Sequence, residues 1–319
     1  MTDKKDWLEY EEYDDEYANA VYEDAEYLAR RNRKSKPKKA SKNLIPGIVI
    51  RALGHHYEVK TDPAVDPVAP NQIRLCEVRR RLLQDRSKDT LLAVGDRVQL
   101  VPNGDDAGKI EQIEERTSVL SRQQPGVNRP AEDVILANPD QALIVFAIID
   151  PEPHLRMLDR FLVIAEANEI PAVICVNKID LTGRPQAEAL FGPYSTAGYR
   201  VIYVSAATNQ GMDELADLLL DRITVITGPS GVGKSSLLNT LHPDLALDTG
   251  DLRDFMNKGK HTTRTATLLP LPIGKATFVA DTPGIRELGF YEIDPGDLAF
   301  YFIDIAPYVN ECRYPNCTH

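Results

Sequence analysis

The chain has 319 residues, a formal net charge of −11 and 43% hydrophobic residues. This length predicts two or three compact units with a sizeable buried core. The longest uninterrupted apolar run, residues 142–149, is far shorter than the roughly 20 residues of a membrane-spanning helix. The acidic beginning of the sequence also lacks the apolar stretch of a signal peptide. We therefore expect a cytoplasmic protein that does not bind a membrane.

Residues 1–43 divide into an acidic and a basic run. Acids crowd the segment up to Glu26, whereas residues 30–42 contain many Lys and Arg and no acid. This composition predicts a flexible tail. The basic run could contact phosphates, or it could be a solvated linker, and the sequence leaves both readings open.

The region from Leu44 to Ser121 contains short β-branched segments broken by turn residues. The segments read GIVIRA, HHYEVK, IRLCEVRRRL, DRVQLV and GKIEQI. Several short strands joined by loops rich in Pro, Gly and Asp predict a small all-β barrel over 44–121.

From residue 122 to residue 290 the pattern changes, and apolar strands alternate with amphipathic helices after Asn138. The predicted strands read QALIVFAII, PAVICVNK, RVIYVSA, ITVITG and ATFVADT, and the helices LRMLDRFLVIAEAN and GMDELADLLLDR. Such alternation predicts an α/β domain with a doubly wound parallel sheet, which binds ligands at the carboxyl ends of its strands.

A phosphate-binding loop lies between the strand ITVITG and the helix SSLLNTLH. Its glycines allow backbone N–H groups to surround phosphates at the positive end of the helix dipole. Lys234 should reach the β- and γ-phosphates, and Ser235 should ligate Mg²⁺. The predicted nucleotide-binding residues here are Gly228, Pro229, Ser230, Gly231, Val232, Gly233, Lys234, Ser235 and Ser236.

The tetrad Asn177-Lys178-Ile179-Asp180 follows the strand PAVICV and selects the base. The Asp180 carboxylate can accept hydrogen bonds from guanine N1–H and N2, whereas adenine would leave it unpaired. Asn177 should position the loop, and the stem of Lys178 should pack over the base. Ser205 and Ala206 begin the Ser-Ala-Ala segment, which offers a backbone amide to guanine O6. These residues predict GTP and GDP, with Mg²⁺, as ligands.

Two further segments complete the predicted magnesium and γ-phosphate contacts. Asp281 begins Asp-Thr-Pro-Gly after the strand ATFVA and offers a second carboxylate on the magnesium side, while Gly284 can donate its N–H to the γ-phosphate. In the loop GKHTTR, either Thr262 or Thr263 could ligate Mg²⁺.

The order of the motifs is circularly permuted, because the base-reading segments precede the phosphate loop. Each motif sits on its own strand end, so the permutation leaves the folded site unchanged. Ile285 occupies the position where Ras-like enzymes carry the water-orienting glutamine, which predicts slow intrinsic hydrolysis. His261 is the nearest candidate in sequence to replace it, although a lone loop histidine is more often solvated.

Together the motifs NKID, SAA, GPSGVGKSS, HTT and DTPG after a small barrel resemble the small-subunit-dependent GTPase family RsgA, also called YjeQ. The resemblance covers Leu44 to the end. It implies an OB-fold domain, a permuted GTPase domain and a zinc-binding C-terminal segment, acting in late maturation of the small ribosomal subunit. It also implies a catalytic role for His261 and magnesium ligation by Thr263.

The resemblance implies zinc ligands in residues 291–319. Cys312, Cys317 and His319 fit the family's zinc knuckle, but a further cysteine is expected after them, and three ligands do not close a tetrahedral site.

Cys76 and Cys175 lie in apolar strand-like segments and are expected to be buried.

We therefore expect a Mg²⁺-dependent GTP hydrolase, monomeric, that binds the small subunit and its rRNA and couples hydrolysis to maturation and to its own release. The alternative is a GTP-gated rRNA-binding module whose hydrolysis is incidental. An ATP-using enzyme is disfavoured by Asp180.

Overall fold

The computed structural model describes residues 44–66, 73–80, 82, 92–123, 132–245, 266–281, 296–309, 311 and 313. All of them belong to one compact unit, Leu44–His319. Within these ranges, no helix is both long and apolar enough to cross a membrane.

Five strands form a closed barrel with the order β1-β2-β3-β5-β4. They are β1 (Ile45–Leu53), β2 (His56–Thr61), β3 (Ile73–Val78), β4 (Arg97–Asn103) and β5 (Ala107–Ile113). Along β4 buried and more exposed residues alternate, as expected for a strand with one face toward a core. Closure pairs every strand on both sides and so removes free sheet edges. The predicted small barrel is confirmed, and each predicted segment contributes one strand.

A buried ion pair ties two loops of the barrel together. The Nε and Nη2 atoms of Arg74 donate to the carboxylate of Asp66 at 2.5 and 2.7 Å, and both residues are 2% exposed. The Nη1 atom donates to the carbonyls of Gly104 and Ala107. The hydrogen bond that Arg74 donates to Asp66 raises the pKa of Arg74. The charged pair thus holds the β2–β3 loop against the β4–β5 hairpin.

A two-stranded hairpin follows the barrel in the chain, formed by β6 (Val119–Gln123) and β7 (Glu132–Ala137). The N–H of Ala137 donates to the carbonyl of Val94 at 2.8 Å, and Nδ2 of Asn138 donates to the carbonyl of Gly95 at 3.0 Å. Gly95 has φ +90°, and a Cβ there would lie 2.0 Å from the Ala137 oxygen. The barrel loop therefore packs directly on the end of β7.

The six-stranded sheet has the order β10-β9-β8-β11-β13-β12. Its strands are β8 (Gln141–Ala147), β9 (Ala172–Asn177), β10 (Arg200–Tyr203), β11 (Ile223–Thr227), β12 (Thr267–Leu271) and β13 (Thr277–Asp281). Only the β12–β13 pair is antiparallel. Every residue of β8 and β11 is buried, because helices cover both faces of the sheet. The predicted parallel strands are confirmed.

Four helices pack on the sheet: α1 (Leu155–Ala167), α2 (Arg184–Ala197), α3 (Met212–Leu219) and α4 (Lys234–Leu241). Leu158 of α1 and Phe191 of α2 join one core cluster, whereas Leu215 of α3 and Leu237 of α4 join the other. Helices α1 and α3 match the predicted crossovers. The prediction missed α2, whose weakly amphipathic sequence contains an internal Pro193.

Cys76 and Cys175 are free and fully buried, as predicted. Burial raises the pKa of the Cys76 thiol to about 12 and also raises that of Cys175. Both thiols therefore stay neutral and serve as small core side chains.

Candidate nucleotide-binding site

The carboxyl ends of the parallel strands bring the predicted motifs together. Asn177 ends β9, Ser205 lies just beyond β10, Gly228 directly follows β11, and Asp281 ends β13. Because β8, β9, β10, β11 and β13 run parallel, all these ends lie at one edge of the sheet. The permuted order along the chain thus yields one continuous polar edge.

The phosphate loop depends on three glycines with positive φ. Gly228, Gly231 and Gly233 have φ values of +138°, +79° and +92°. A Cβ at Gly228 would lie 2.0 Å from the backbone oxygen of Val145, and one at Gly233 would lie 2.4 Å from Nδ2 of Asn177. Only glycine satisfies both the backbone conformation and the close approach. The loop is therefore held against β8 and β9 at fixed points.

Lys234 and Ser235 are buried at the beginning of α4, 9% and 5% exposed. The Nζ atom of Lys234 donates to the carbonyl of Gly228 at 3.1 Å and to that of Pro229 at 2.7 Å. The lysine ammonium is thus held within the loop, beside the helix terminus that favours anions. This arrangement has the donor chemistry that a nucleotide polyphosphate needs.

Changing Gly228 to Ala should abolish nucleotide binding, because the new Cβ cannot clear the Val145 oxygen without moving the loop. Isothermal titration with GDP would measure the loss. Gly192→Ala is the matched control, because a Cβ there meets nothing within 4 Å. Retention of GDP affinity by Gly228→Ala would show that the close approach is not required.

The Asp180 carboxylate, predicted to contact the base, is oriented by a buried hydroxyl. Ser205 is fully buried, and its Oγ donates to Oδ1 of Asp180 at 2.5 Å. The N–H of Thr208 in turn donates to that Oγ at 3.2 Å. Asp180 itself is exposed at the end of this chain of hydrogen bonds. The carboxylate therefore faces solvent in a fixed orientation, with acceptor capacity for two guanine donors.

Asn177 connects the base-reading and phosphate-binding segments. Its Nδ2 donates to the carbonyl of Val232 at 2.9 Å, and its Oδ1 accepts from the N–H of Ala206 at 3.3 Å. One buried amide thus contacts the phosphate loop and the Ser-Ala-Ala segment. These hydrogen bonds fit the positioning role predicted for Asn177, which stays a prediction, as does the contact of the Ser-Ala-Ala amide with guanine O6.

Lys178 adopts a left-handed backbone conformation with φ +64°, and its Nζ donates to the carbonyl of Asp150. Asp150 belongs to the loop between β8 and α1, which the sequence analysis did not include among the candidate site segments. Pro151 of the same loop lies beside the phosphate loop, 3.6 Å from the position of a Cβ on Gly231. The loop follows a strand end of the parallel sheet, which is the signal that could have identified it.

Several predicted residues have no described side chain. The backbone of Asp281 pairs with Ile226 and Thr267, but its side chain lies outside the described atoms. Also outside the described residues are His261, Thr262, Thr263, Gly284, Cys312, Cys317 and His319. In the ranges that are described, no three His, Cys, Asp or Glu side chains form a group able to hold a metal ion.

Comparison with known proteins gives concordant results. The family model described as RsgA GTPase matches residues 113–291. The chain is similar to "Small ribosomal subunit biogenesis GTPase RsgA" of Gemmatimonas aurantiaca, with 43% identity over 86% of both proteins. The protein of the same name from Moorella thermoacetica is 39% identical, again over 86% of both.

Solved structures of similar fold include YjeQ from Thermotoga maritima, with a TM-score of 0.64 and 29% identity, covering 86% of this chain and 87% of that one. YloQ, described as a circularly permuted GTPase, also has a TM-score of 0.64 and 29% identity, covering 89% of this chain and 86% of that one. Its description agrees with the motif order found here. From the matched profile, the identities and the shared fold, the chain belongs to the RsgA GTPase family.

Proposed function

We propose that this protein is a Mg²⁺-dependent GTPase that binds the small ribosomal subunit and couples hydrolysis to late subunit maturation and to its own release. The observation that carries the proposal is the Asp180 carboxylate, oriented by Ser205 at the same sheet edge as the phosphate loop. The names of the relatives supply the ribosomal partner.

Selection of guanine follows from Asp180 and from the two residues that position it, Ser205 and Asn177. A carboxylate that accepts from N1–H and N2 favours guanine, whereas adenine offers it neither donor and would leave part of its charge without a hydrogen bond. Ser205 restricts the rotation of this carboxylate by donating to one of its oxygens. Asn177 donates a hydrogen bond to the carbonyl of Val232, and this bond fixes the position of the base-reading segment relative to the phosphate loop.

The phosphates would lie over the backbone N–H groups of residues 230–236, with Lys234 as the main cation. The residues proposed to hold Mg²⁺ are Ser235, Asp281 and Thr263. When bound, the ion would neutralise charge that develops between the β- and γ-phosphates. Ser235 lies in the first turn of α4 and is buried beside Lys234, which fits a hydroxyl ligand next to the phosphates.

Hydrolysis needs an oriented water molecule. Ile285 follows the segment from Asp281 to Gly284, and its side chain cannot donate or accept a hydrogen bond. We assign water positioning to His261 and sensing of the γ-phosphate to the N–H of Gly284. With a loop histidine in this role, basal turnover should be slow, and docking on the subunit should accelerate it by ordering the loops.

The proposed domain organisation has a tail over 1–43, an OB-fold domain over 44–121, a permuted GTPase domain over 122–290 and a zinc-binding segment over 291–319. Zinc would be held by Cys312, Cys317 and His319 together with a further ligand. We propose that the protein acts as a monomer in the cytoplasm, and that the barrel contacts rRNA.

The test is GTP turnover with and without purified small subunits, in the presence of Mg²⁺. We expect stimulation of about tenfold or more by small subunits, and none by large subunits. Absence of stimulation despite co-sedimentation with small subunits would favour the alternative, a GTP-gated binding module. Absence of both would refute the ribosomal partner.

A further inference from the structure

A cleft of about 260 Å³ lies between the barrel and the amino end of β13. Its barrel side comes from β1, from the end of β2 and from the beginning of β4, and its other side from the β12–β13 turn and β13. Apolar groups form much of the lining, contributed by Pro46, Gly47, Ile48, Ala276 and Phe278. Phe278 lies near the beginning of β13, whereas the predicted nucleotide-binding residues lie at the carboxyl ends of the strands. The cleft is therefore at the opposite edge of the sheet from the nucleotide site.

Two cations flank the apolar lining on one rung of the barrel. Ile48 pairs with Lys60 on β2 and with Arg97 on β4. Paired residues on neighbouring strands project to the same face of the sheet. Neighbouring strands are about 5 Å apart, so the backbones of Lys60 and Arg97, two strands apart, are separated by about 10 Å. Val49, Val59 and Val98, the neighbours of these three residues in sequence, fill the barrel core instead. The rung Lys60–Ile48–Arg97 therefore faces the cleft.

A third cation comes from the other side. Lys275 is exposed on the β12–β13 turn, whose backbone is fixed because Oδ1 of Asp221 accepts from the N–H groups of Lys275 and Ala276 at 2.6 and 2.9 Å. Both parts of the fold thus direct positive charge at one cleft.

Two acids, Asp62 and Glu114, also line the cleft, so its lining carries three cations and two carboxylates, and each carboxylate already accepts a hydrogen bond within the protein. Oδ1 of Asp62 accepts from the N–H of Ala64, and Oε1 of Glu114 accepts from Nε2 of Gln99, both at 2.8 Å. By contrast, no hydrogen bond or ion pair of the Arg97 side chain is found within the described ranges. Burial also lowers the pKa of Lys60, so an anion beside it would favour its charged form.

We propose that this cleft binds one nucleotide of single-stranded RNA, with the phosphate among Lys60, Arg97 and Lys275 and the base or ribose on Ile48 and Ala276. The proposal rests on the proposed function and names where the barrel and the α/β sheet contact RNA together. The cleft volume of about 260 Å³ lies near the lower end of the range for small-ligand pockets, so the cleft has room for at most one nucleotide. Apolar walls beside cations favour a nucleotide over free phosphate, which would leave those walls uncovered.

The test compares the double variant Arg97→Gln/Lys275→Gln with Lys109→Gln/Arg156→Gln. The control removes one exposed cation from the barrel and one from α1, both outside the cleft. With GDP bound, the affinity for a labelled single-stranded RNA is measured by anisotropy over a range of salt. Losing one phosphate contact should weaken binding about tenfold and reduce the salt slope by about 0.7. The control variant should lose less RNA affinity than the cleft variant and should show a smaller change in the salt slope.

Equal RNA affinities of the unsubstituted protein and the cleft variant would overturn the proposal, as would an equal loss in the control. Unchanged RNA affinity with lost binding of inorganic phosphate would make the cleft a small-anion site and refute the RNA assignment. Basal GTP turnover should be unchanged, because these residues lie away from the nucleotide site. Failure of the proposed function would appear separately, as unsubstituted protein that small subunits do not stimulate.

Discussion

Replacing Asp180 by Asn should convert a guanine-selective site into one that prefers xanthine. The asparagine amide can accept from N1–H and donate to the 2-oxo group of xanthine, but it faces the guanine N2 amine with a donor. Loss of a charge-assisted hydrogen bond costs about 1.5–3 kcal/mol, so GTP affinity should fall about 10- to 100-fold. Turnover of xanthosine triphosphate should rise relative to that of GTP, measured as the ratio of kcat/KM values.

Asp217→Asn is the matched control, because Asp217 is an exposed acid on α3, away from the strand ends. It should leave the preference for GTP unchanged. The local structure of Asp180→Asn should be retained, since the Ser205 hydroxyl can rotate and accept from the new amide while Thr208 keeps its bond. If the preference of Asp180→Asn for GTP over xanthosine triphosphate equals that of the unsubstituted protein, Asp180 does not contact the base.

Lys234→Ala should remove GTP turnover. The ammonium of Lys234 is the cation held inside the phosphate loop, and the following helix is only eight residues long, so little other positive charge faces the phosphates there. We expect kcat/KM to fall at least about 100-fold. Loss of binding should also abolish the stabilisation by GDP, which for a ligand at 100 times Kd is about 2.7 kcal/mol.

A steady-state GTPase assay measures kcat/KM, and thermal unfolding with and without GDP measures the lost stabilisation. Lys109→Ala serves as the control, because its exposed side chain lies on β5 of the barrel, outside the site. A folded Lys234→Ala protein that hydrolyses GTP at the normal rate would remove Lys234 from the site.

The sequence by itself determined the ligand and much of the architecture. Short β-branched segments separated by turn residues predicted the barrel, and apolar strands alternating with amphipathic helices predicted the parallel sheet, because each pattern follows from how the strands are connected and covered. A guanine nucleotide could also be predicted, since Asp180 and the phosphate loop hold the residues expected to bind it within short segments of the chain. Local patterns failed for α2, where Pro193 interrupts the helical signal.

Only the tertiary structure decided which distant residues meet. Nothing in the sequence pairs Ser205 with Asp180 or Asn177 with Val232, because these contacts depend on the order of the strands in the sheet. The same holds for the buried Arg74–Asp66 pair and for the cleft that joins β1 to the β12–β13 turn. The pairing of strands that are far apart in sequence is set by the packing of the whole chain. It cannot be predicted from the spacing of residues within one segment.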